Sequence, residues 1–263
     1  MSGGQARFVD GVWLAVGTLS VVPAPMPRTV DRTVAARAMA LAPGVGLLVG
    51  GVGAAIVAGA GWLRPDAPLL AAVLGLMAVV VLSGALHLDG LADTADGLGS
   101  RRDRDRMLAI MRTGDIGPFG VAAVALILLV DVAALAACVT SGIGWQAVLV
   151  AAVAGRTTLP WACRTTVPSA RPDGLGAMVA GTVRTWVAGA VTVAAAAAAV
   201  VLLLPHGARA AVAGGSAVLV AAVAGALVVR RCVHKLGGIT GDVLGAAVEV
   251  GTAVALLVLA LAA

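Results

Sequence analysis

Residues 87–97 read His-Leu-Asp-Gly-Leu-Ala-Asp-Thr-Ala-Asp-Gly, and they close the apolar run 67–88. On one continuous helix Asp89, Asp93 and Asp96 have i, i+4, i+7 spacing and fall within roughly 60° of arc. Three carboxylates on one face repel one another unless cations lie between them. The stretch therefore predicts either a carboxylate site for Mg²⁺, which also takes water and phosphate oxygens, or a solvated acidic helix start beyond a membrane segment.

The composition around this stretch is that of an integral membrane protein. Of the 263 residues, 60% are hydrophobic and 12% are charged, and the mean hydropathy is +1.04. Soluble domains do not reach these values. We therefore expect an all-α fold in a single domain, residues 1–263: a polytopic membrane helix bundle of about six or seven transmembrane helices. The candidate spans, each near the ~20 residues that cross the hydrocarbon, are 41–61, 67–88, 118–140, 145–163, 185–204, 211–230 and 243–262.

The N-terminal apolar segment Phe8–Val22 is too short to span a membrane comfortably. A signal peptide is one interpretation, because Arg7 precedes the apolar core, but Asp10 near its start and a poor cleavage site argue against it. We expect instead a helix at the membrane interface, ended by Pro23 and the prolines that follow it.

Cationic side chains concentrate in alternate connectors between the spans. Of the 18 Lys and Arg residues, fourteen fall in or beside the four long connectors and only Arg64 and Arg209 in the short ones. The positive-inside rule therefore puts the long connectors and the aspartates in the cytoplasm. This bias also accounts for the net charge of +5 without nucleic-acid binding. The fourteen are Arg28, Arg32, Arg37, Arg101, Arg102, Arg104, Arg106, Arg112, Arg164, Arg171, Arg184, Arg230, Arg231 and Lys235.

Four further polar residues lie where the sequence suggests a role or an environment. His87 lies about 160° from Asp89 on a helix, so it either packs at the interface or accepts a proton from an attacking hydroxyl. Asp242 follows a Gly-rich turn and either caps the last helix or belongs to a turn whose backbone amides bind phosphate. Inside the spans, Arg156 is expected to be functional or paired, and Asp131 to face the bundle interior without a catalytic role.

Clustered aspartates with Mg²⁺ at a membrane surface suit phosphoryl or phosphodiester transfer, because the metal offsets phosphate charge and steadies the leaving group. One competing class is a CDP-alcohol-type lipid phosphotransferase, but such enzymes carry Ala-Arg after the Asp-Gly pair, and Asp89-Gly90 lacks it. Another is a cation-coupled transporter using Asp131 and the acidic cluster, but the paired repeats typical of transporters are not evident.

The quoted stretch resembles the signature of the cobalamin synthase, or adenosylcobinamide-GDP ribazoletransferase, family. The resemblance covers nearly the whole chain, and the acidic and Gly-Asp motifs together make it specific. Thr113-Gly114-Asp115 departs from the Asp-Ser-Arg run of many members, which leaves the role of Asp115 open. The other matching blocks are Leu41–Gly46, Arg106–Arg112, Ile116–Gly120, Gly155-Arg156, Ala170–Gly176 and Gly237–Ala246.

The resemblance implies a late step of vitamin B12 assembly in the bacterial cytoplasmic membrane. A hydroxyl of α-ribazole, or of its 5′-phosphate, attacks the cobinamide-bound phosphate of adenosylcobinamide-GDP, and GMP leaves. It implies Mg²⁺ as the cofactor, and the two substrates and the lipid bilayer as partners. A homo-oligomer, or association with other cobamide-assembly enzymes, is compatible with it.

The predicted roles combine the motif matches with the chemistry above. Asp89, Asp93 and Asp96 are metal ligands and catalytic residues, and His87 is a catalytic proton acceptor. Substrate phosphate contact or site scaffolding is implied for Arg112, Arg156, Arg171 and Asp242.

A cysteine placed within 100–106 should react with a membrane-impermeant thiol reagent only from the cytoplasmic side, since the cationic connector stays inside. The native Cys138, Cys163 and Cys232 are replaced beforehand. A cysteine at Gly142, in a short connector, is the matched control and should react only from the outside. Labelling of 100–106 from the outside would contradict the topology.

Overall fold

Helices form almost all of the regular structure. The computed structural model describes residues 3–263, with side chains from Arg7 onwards. Those residues form eleven α-helices, one 3₁₀ turn and two isolated β-bridges, with no strand. The predicted all-α class is therefore confirmed. The helices are α1 (Gly3–Leu19), α2 (Arg32–Leu63), α3 (Pro68–Leu82), α4 (Leu86–Gly99), α5 (Arg104–Ile110), α6 (Pro118–Thr140), α7 (Gly144–Ala162), α8 (Gly174–Val179), α9 (Thr185–Leu203), α10 (Ala208–Leu236) and α11 (Gly241–Ala262).

Five helices in the described part of the chain are long and apolar enough to cross a membrane: α2, α6, α9 (with the 3₁₀ turn that extends it), α10 and α11. The bent pair α3 and α4 brings the number to six. Helix α7 occupies the predicted span 145–163, but its side chains are mostly buried among the other helices. The chain is thus a multi-pass membrane protein.

Glycines bring α7 close to its neighbours. A Cβ on Gly46 of α2 would lie 2.6 Å from the Ala152 carbonyl oxygen of α7. On the other side of α7, a Cβ on Gly155 would lie 2.7 Å from the Val248 carbonyl oxygen of α11. Small residues allow this backbone approach, and dispersion contacts between closely packed helices stabilise association in lipid. Helix α7 is therefore the central helix of the bundle.

The predicted span 67–88 is wrong as a continuous helix. Helix α3 ends at Leu82, and α4 leaves it at an angle of 86°. Gly84 and Ala85 between them have φ of 62° and 55°, the left-handed conformation that ends helices. The Ala85 amide donates to the Val80 carbonyl and the Gly84 amide to the Val81 carbonyl, which closes the turn. Apolar composition gives no signal of this break.

Helix α4 lies against the first turns of α11. A Cβ on Gly90 would lie 2.7 Å from the carbonyl oxygen and 2.9 Å from the Cα of Asp242. A Cβ on Gly245 would lie 3.0 Å from the His87 carbonyl oxygen and 3.1 Å from its Cα. The two backbones meet directly, so the acidic stretch of α4 and the start of α11 form one surface.

The predicted N-terminal helix is present as α1, which packs on α2 and ends at Leu19. The buried Asp10 carboxylate accepts from the Arg28 amide at 3.0 Å and the Thr29 hydroxyl at 3.0 Å. The backbone hydrogen bond from Arg28 lowers the pKa of Asp10. Asp10 therefore ties the proline-rich segment back onto α1.

The substitution Gly90→Ala should lower the free energy of unfolding by about 1–3 kcal/mol, because the new methyl group would clash with the α11 backbone. The melting temperature of the purified protein in detergent measures this. Gly189→Ala in α9 is the matched control, since nothing lies within 4 Å of its Cβ and alanine favours helix. Equal melting temperatures for Gly90→Ala and the parent protein would contradict the direct backbone contact.

Candidate active site

A cavity of about 540 Å³ lies at the end of the bundle where α2 and α11 begin and α7 ends. Ligand pockets typically have volumes of about 300–1,000 Å³. Its charged lining is Asp89, Arg112, Arg171, Asp173 and Asp242. Its apolar lining is Leu19, Met39, Leu86, Leu159, Leu175 and Leu244. The site is thus amphipathic, with acids and arginines next to an aliphatic wall.

Three of the aspartates are brought together by the contact between α4 and α11. Asp89 is exposed to the cavity, and Asp242 lines it from the first turn of α11. Asp93, one turn further along α4, is partly buried. The negative charges of Asp89, Asp242 and Asp96 act on its carboxylate, and the positive charge of Arg171 acts in the opposite direction. This concentration of negative charge is the arrangement that a cation stabilises.

Asp96 has a different environment from the other acids of α4. Its carboxylate is buried and accepts from the Gly117 amide at 2.7 Å and the Gly120 amide at 2.9 Å, at the N-terminus of α6. Free amides at a helix start favour a carboxylate in this position. Both oxygens are therefore occupied by backbone amides, and Asp96 does not line the cavity. In this structure it joins α4 to α6, which the helical spacing did not predict.

Two of the arginines predicted to contact substrate border the cavity, and each pairs with a different set of groups. Arg112 donates to the Asp173 carboxylate at 2.7 Å, and both side chains are more than half exposed. Arg171 donates to the Leu108 carbonyl at 2.7 Å and lies 3.9 Å from the Asp242 carboxylate. Burial lowers the pKa of Arg171, and the nearby Asp242 opposes that shift. Both guanidinium groups border the cavity, where a phosphate would find charge-assisted donors.

Two loops on one side of the cavity are joined by backbone hydrogen bonds. The Ala170 amide donates to the Ile239 carbonyl at 2.9 Å, and the Ile239 amide donates to the Pro168 carbonyl at 3.0 Å. Arg104 from α5 donates to the Leu236 carbonyl at 2.8 Å and to the Ala170 carbonyl at 2.7 Å. Sequence reasoning missed this role, because Arg104 was one of several arginines in a charged connector.

Thr240, rather than Asp242, caps α11. The Thr240 hydroxyl accepts from the Val243 amide at 3.3 Å and donates to the Asp242 carboxylate at 3.1 Å. Of the two interpretations of Asp242, capping is therefore wrong, and its carboxylate lines the cavity. The helix start at the cavity also favours an anion there.

His87 lies in the first turn of α4 and lines the cavity together with Asp89. The helical wheel separates these residues by about 160°, but the cavity extends around this turn. The His87 side chain is 3% exposed, and neither ring nitrogen has a hydrogen-bond partner among the described residues. A buried polar group without a partner is costly unless a ligand supplies one.

Arg156 lies behind the cavity wall rather than in it. It is 1% exposed and donates to the Ala152 carbonyl at 3.1 Å and to the Ser83 hydroxyl at 3.4 Å. Its charge interacts with that of Glu249 on α11, a residue that sequence reasoning missed. An acid inside a predicted span is the signal that could have identified Glu249. Asp131 faces the interior, as predicted, and the charge of Glu249 also acts on its carboxyl group.

The acidic side of the cavity supplies only part of a metal-ligand set. Among the described residues, no group of three His, Cys, Asp or Glu side chains is assembled closely enough to hold a metal ion. The oxygens available at the cavity are those of Asp89 and Asp242, with Asp93 adjacent. Their chemistry is that of Mg²⁺ ligands, since this ion binds through one or two carboxylates and completes its shell with water and phosphate oxygens.

The comparisons with known proteins agree over most of the chain. The family model described as cobalamin-5-phosphate synthase matches residues 11–260. A protein of Frankia casuarinae named adenosylcobinamide-GDP ribazoletransferase is 42% identical over 255 residues, covering 92% of this chain and 91% of the relative. A relative of the same name from a Nocardioides species is also 42% identical over 255 residues, with coverage of 94% and 97%. No solved structure matches the chain significantly. The chain therefore belongs to the cobalamin-5-phosphate synthase family.

Proposed function

We infer that the chain catalyses the reaction named for its relatives, adenosylcobinamide-GDP ribazole transfer. Adenosylcobinamide-GDP and α-ribazole, or α-ribazole 5′-phosphate, give adenosylcobalamin, or its 5′-phosphate, and GMP. This is a late step of vitamin B12 biosynthesis. The observation that supports it most strongly is the cavity in which Asp89 and Asp242 lie beside Arg112 and Arg171, because transfer at a phosphate needs groups that stabilise its charge.

The bond changes define what the side chains must do. The ribazole hydroxyl oxygen attacks the phosphorus attached to cobinamide, the bond from that phosphorus to the GMP oxygen breaks, and the hydroxyl proton passes to a base. We assign His87 as that base, because it lines the cavity with both ring nitrogens free of partners among the described residues. Arg112 and Arg171 orient the diphosphate through charge-assisted hydrogen bonds.

Mg²⁺ is the metal we assign to the acidic side of the cavity. Asp89 and Asp242 would hold it, with Asp93 as the neighbouring carboxylate, and Asp96 would keep its place at the α6 amides. When bound, the ion offsets phosphate charge and stabilises the leaving group. Because Mg²⁺ needs only one or two carboxylates beside substrate and water, a closed set of three acids is not required.

The cavity faces the cytoplasm in this proposal. It lies at the end of the bundle that also carries the arginine-rich connectors before α6 and after α7. Positive connectors stay on the cytoplasmic side of bacterial membranes. Family membership leaves the CDP-alcohol phosphotransferase and the cation-coupled transporter without a supporting observation.

Membranes that contain the protein should convert adenosylcobinamide-GDP and α-ribazole 5′-phosphate into a cobamide and GMP in equal amounts when Mg²⁺ is present. Chromatography of both products measures the reaction, and removal of Mg²⁺ with EDTA should stop it reversibly. CDP-alcohol substrates are the control and should give no product. Absence of both products from folded protein would contradict the proposal.

Substitutions of the acids of α4 should distinguish residues needed for turnover from one needed chiefly for stability. Asp89→Asn or Asp93→Asn should lower turnover by at least about 10–100-fold, the loss seen when even an outer-shell partner of a bound metal is removed. Asp96→Asn should chiefly lower the free energy of unfolding, by about 0.5–2 kcal/mol, because it weakens the cap of α6. An inactive Asp96→Asn protein of unchanged melting temperature would instead restore Asp96 to the metal site.

A further inference from the structure

A group of polar side chains lies inside the bundle, behind the cavity. Arg156 of α7 is at its centre, with Ser83 at the end of α3, His87 at the start of α4 and Glu249 on α11. Arg156 does not line the cavity, yet its charge acts on His87, which does. The α3–α4 turn, α7 and α11 thus each contribute a polar side chain to the group around one guanidinium.

A buried guanidinium needs a compensating charge. Arg156 is 1% exposed and its Nε has no partner among the described residues, so its two hydrogen bonds alone leave the charge costly in an apolar bundle. The charge of Glu249 on α11 acts on that of Arg156 and opposes the effect of burial. It follows Val248, whose carbonyl oxygen lies where α7 and α11 approach at Gly155. Arg156 and Glu249 therefore each follow a residue at a close contact of the two helices.

Ser83 connects Arg156 to the turn. Its hydroxyl accepts from Arg156 at 3.4 Å and donates to the Val79 carbonyl, one of the last carbonyls of α3. A cation near a helix C-terminus is favourable because that end of the helix carries partial negative charge. The next two residues, Gly84 and Ala85, are left-handed, a conformation that costs a residue with a Cβ free energy and needs external support.

We propose that Arg156 and Glu249 are positioning residues: the charge of Glu249 offsets that of Arg156, whose guanidinium donates to Ser83 at the α3–α4 turn, and so fixes how α4 presents His87 and Asp89 to the cavity. On the other side, the Val21 amide donates to the Leu82 carbonyl at 2.8 Å. The turn is thereby held from both faces.

Hydrogen–deuterium exchange in lipid nanodiscs tests the turn directly and needs no substrate. Ser83→Ala should raise the exchange rate of the amides of 83–89 by about tenfold or more, the effect of losing a hydrogen bond to a charged group. Glu249→Gln should raise exchange in the same segment, because the buried charge of Arg156 loses its compensation. Ser83→Thr keeps the hydroxyl and should retain the protection. Thr157→Val is the matched control, because Thr157 is fully buried beside Arg156 and donates only within α7.

Steady-state kinetics supply a readout that a merely structural role would not change, and this part rests on the proposed function. Ser83→Ala and Glu249→Gln should lower kcat about tenfold with KM for adenosylcobinamide-GDP within twofold of the parent, since they move the reacting groups rather than the binding arginines. Because both act along one path, the double variant should be no slower than the slower single variant.

The exchange experiment decides the proposal even where no variant has activity. Unchanged exchange at 83–89 in Glu249→Gln and Ser83→Ala would overturn it. So would a uniform rise across all helices equal to that of Thr157→Val. Failure of the transfer assay with the parent protein would overturn the proposed function but leave the positioning role supported by the exchange result.

Discussion

The direct backbone contact between α4 and the first turns of α11 determines where the charges of the site lie. Gly90 and Gly245 remove the side chains that would separate the two helices. As a result Asp242, distant in sequence, joins Asp89 and Asp93, and His87 reaches the same cavity. The right-angled turn after α3 makes this possible, because a continuous helix over 67–88 would direct α4 away from α11.

Several of the protein's few charged side chains form hydrogen bonds with backbone amides and carbonyls of other segments. Asp96 accepts from amides of α6, Asp10 from an amide of the proline-rich segment, and Arg104 donates to carbonyls of two loops. Charges of this kind are tolerated in an apolar protein because each satisfies a group that would otherwise lack a partner. The acids and arginines at the cavity pair differently: Arg112 donates to Asp173, and Arg171 donates to the Leu108 carbonyl and lies near Asp242.

Much of the fold could be predicted from the sequence. Hydropathy gave 118–140 for α6 without error, and α11 begins two residues before its prediction. Helix α2 begins nine residues early, at Arg32, because Asp31 caps it and hydropathy does not detect a polar first turn. The break at Gly84 and the capping role of Asp96 depend on the backbone of distant segments, Val21 for the one and Gly117 for the other. Helical spacing describes a single helix and contains no information on such partners.

The two-carbonyl contact of Arg104 has an evolutionary consequence. Membrane topology selects only for positive charge in a connector, so lysine and arginine should exchange freely at the exposed Arg101, Arg102 and Arg106. At Arg104 selection acts on shape as well, because a planar guanidinium donates to two acceptors in fixed directions and an ammonium does not. Neighbouring codons of one charged connector are therefore under different constraints, and Arg104 should drift least among them.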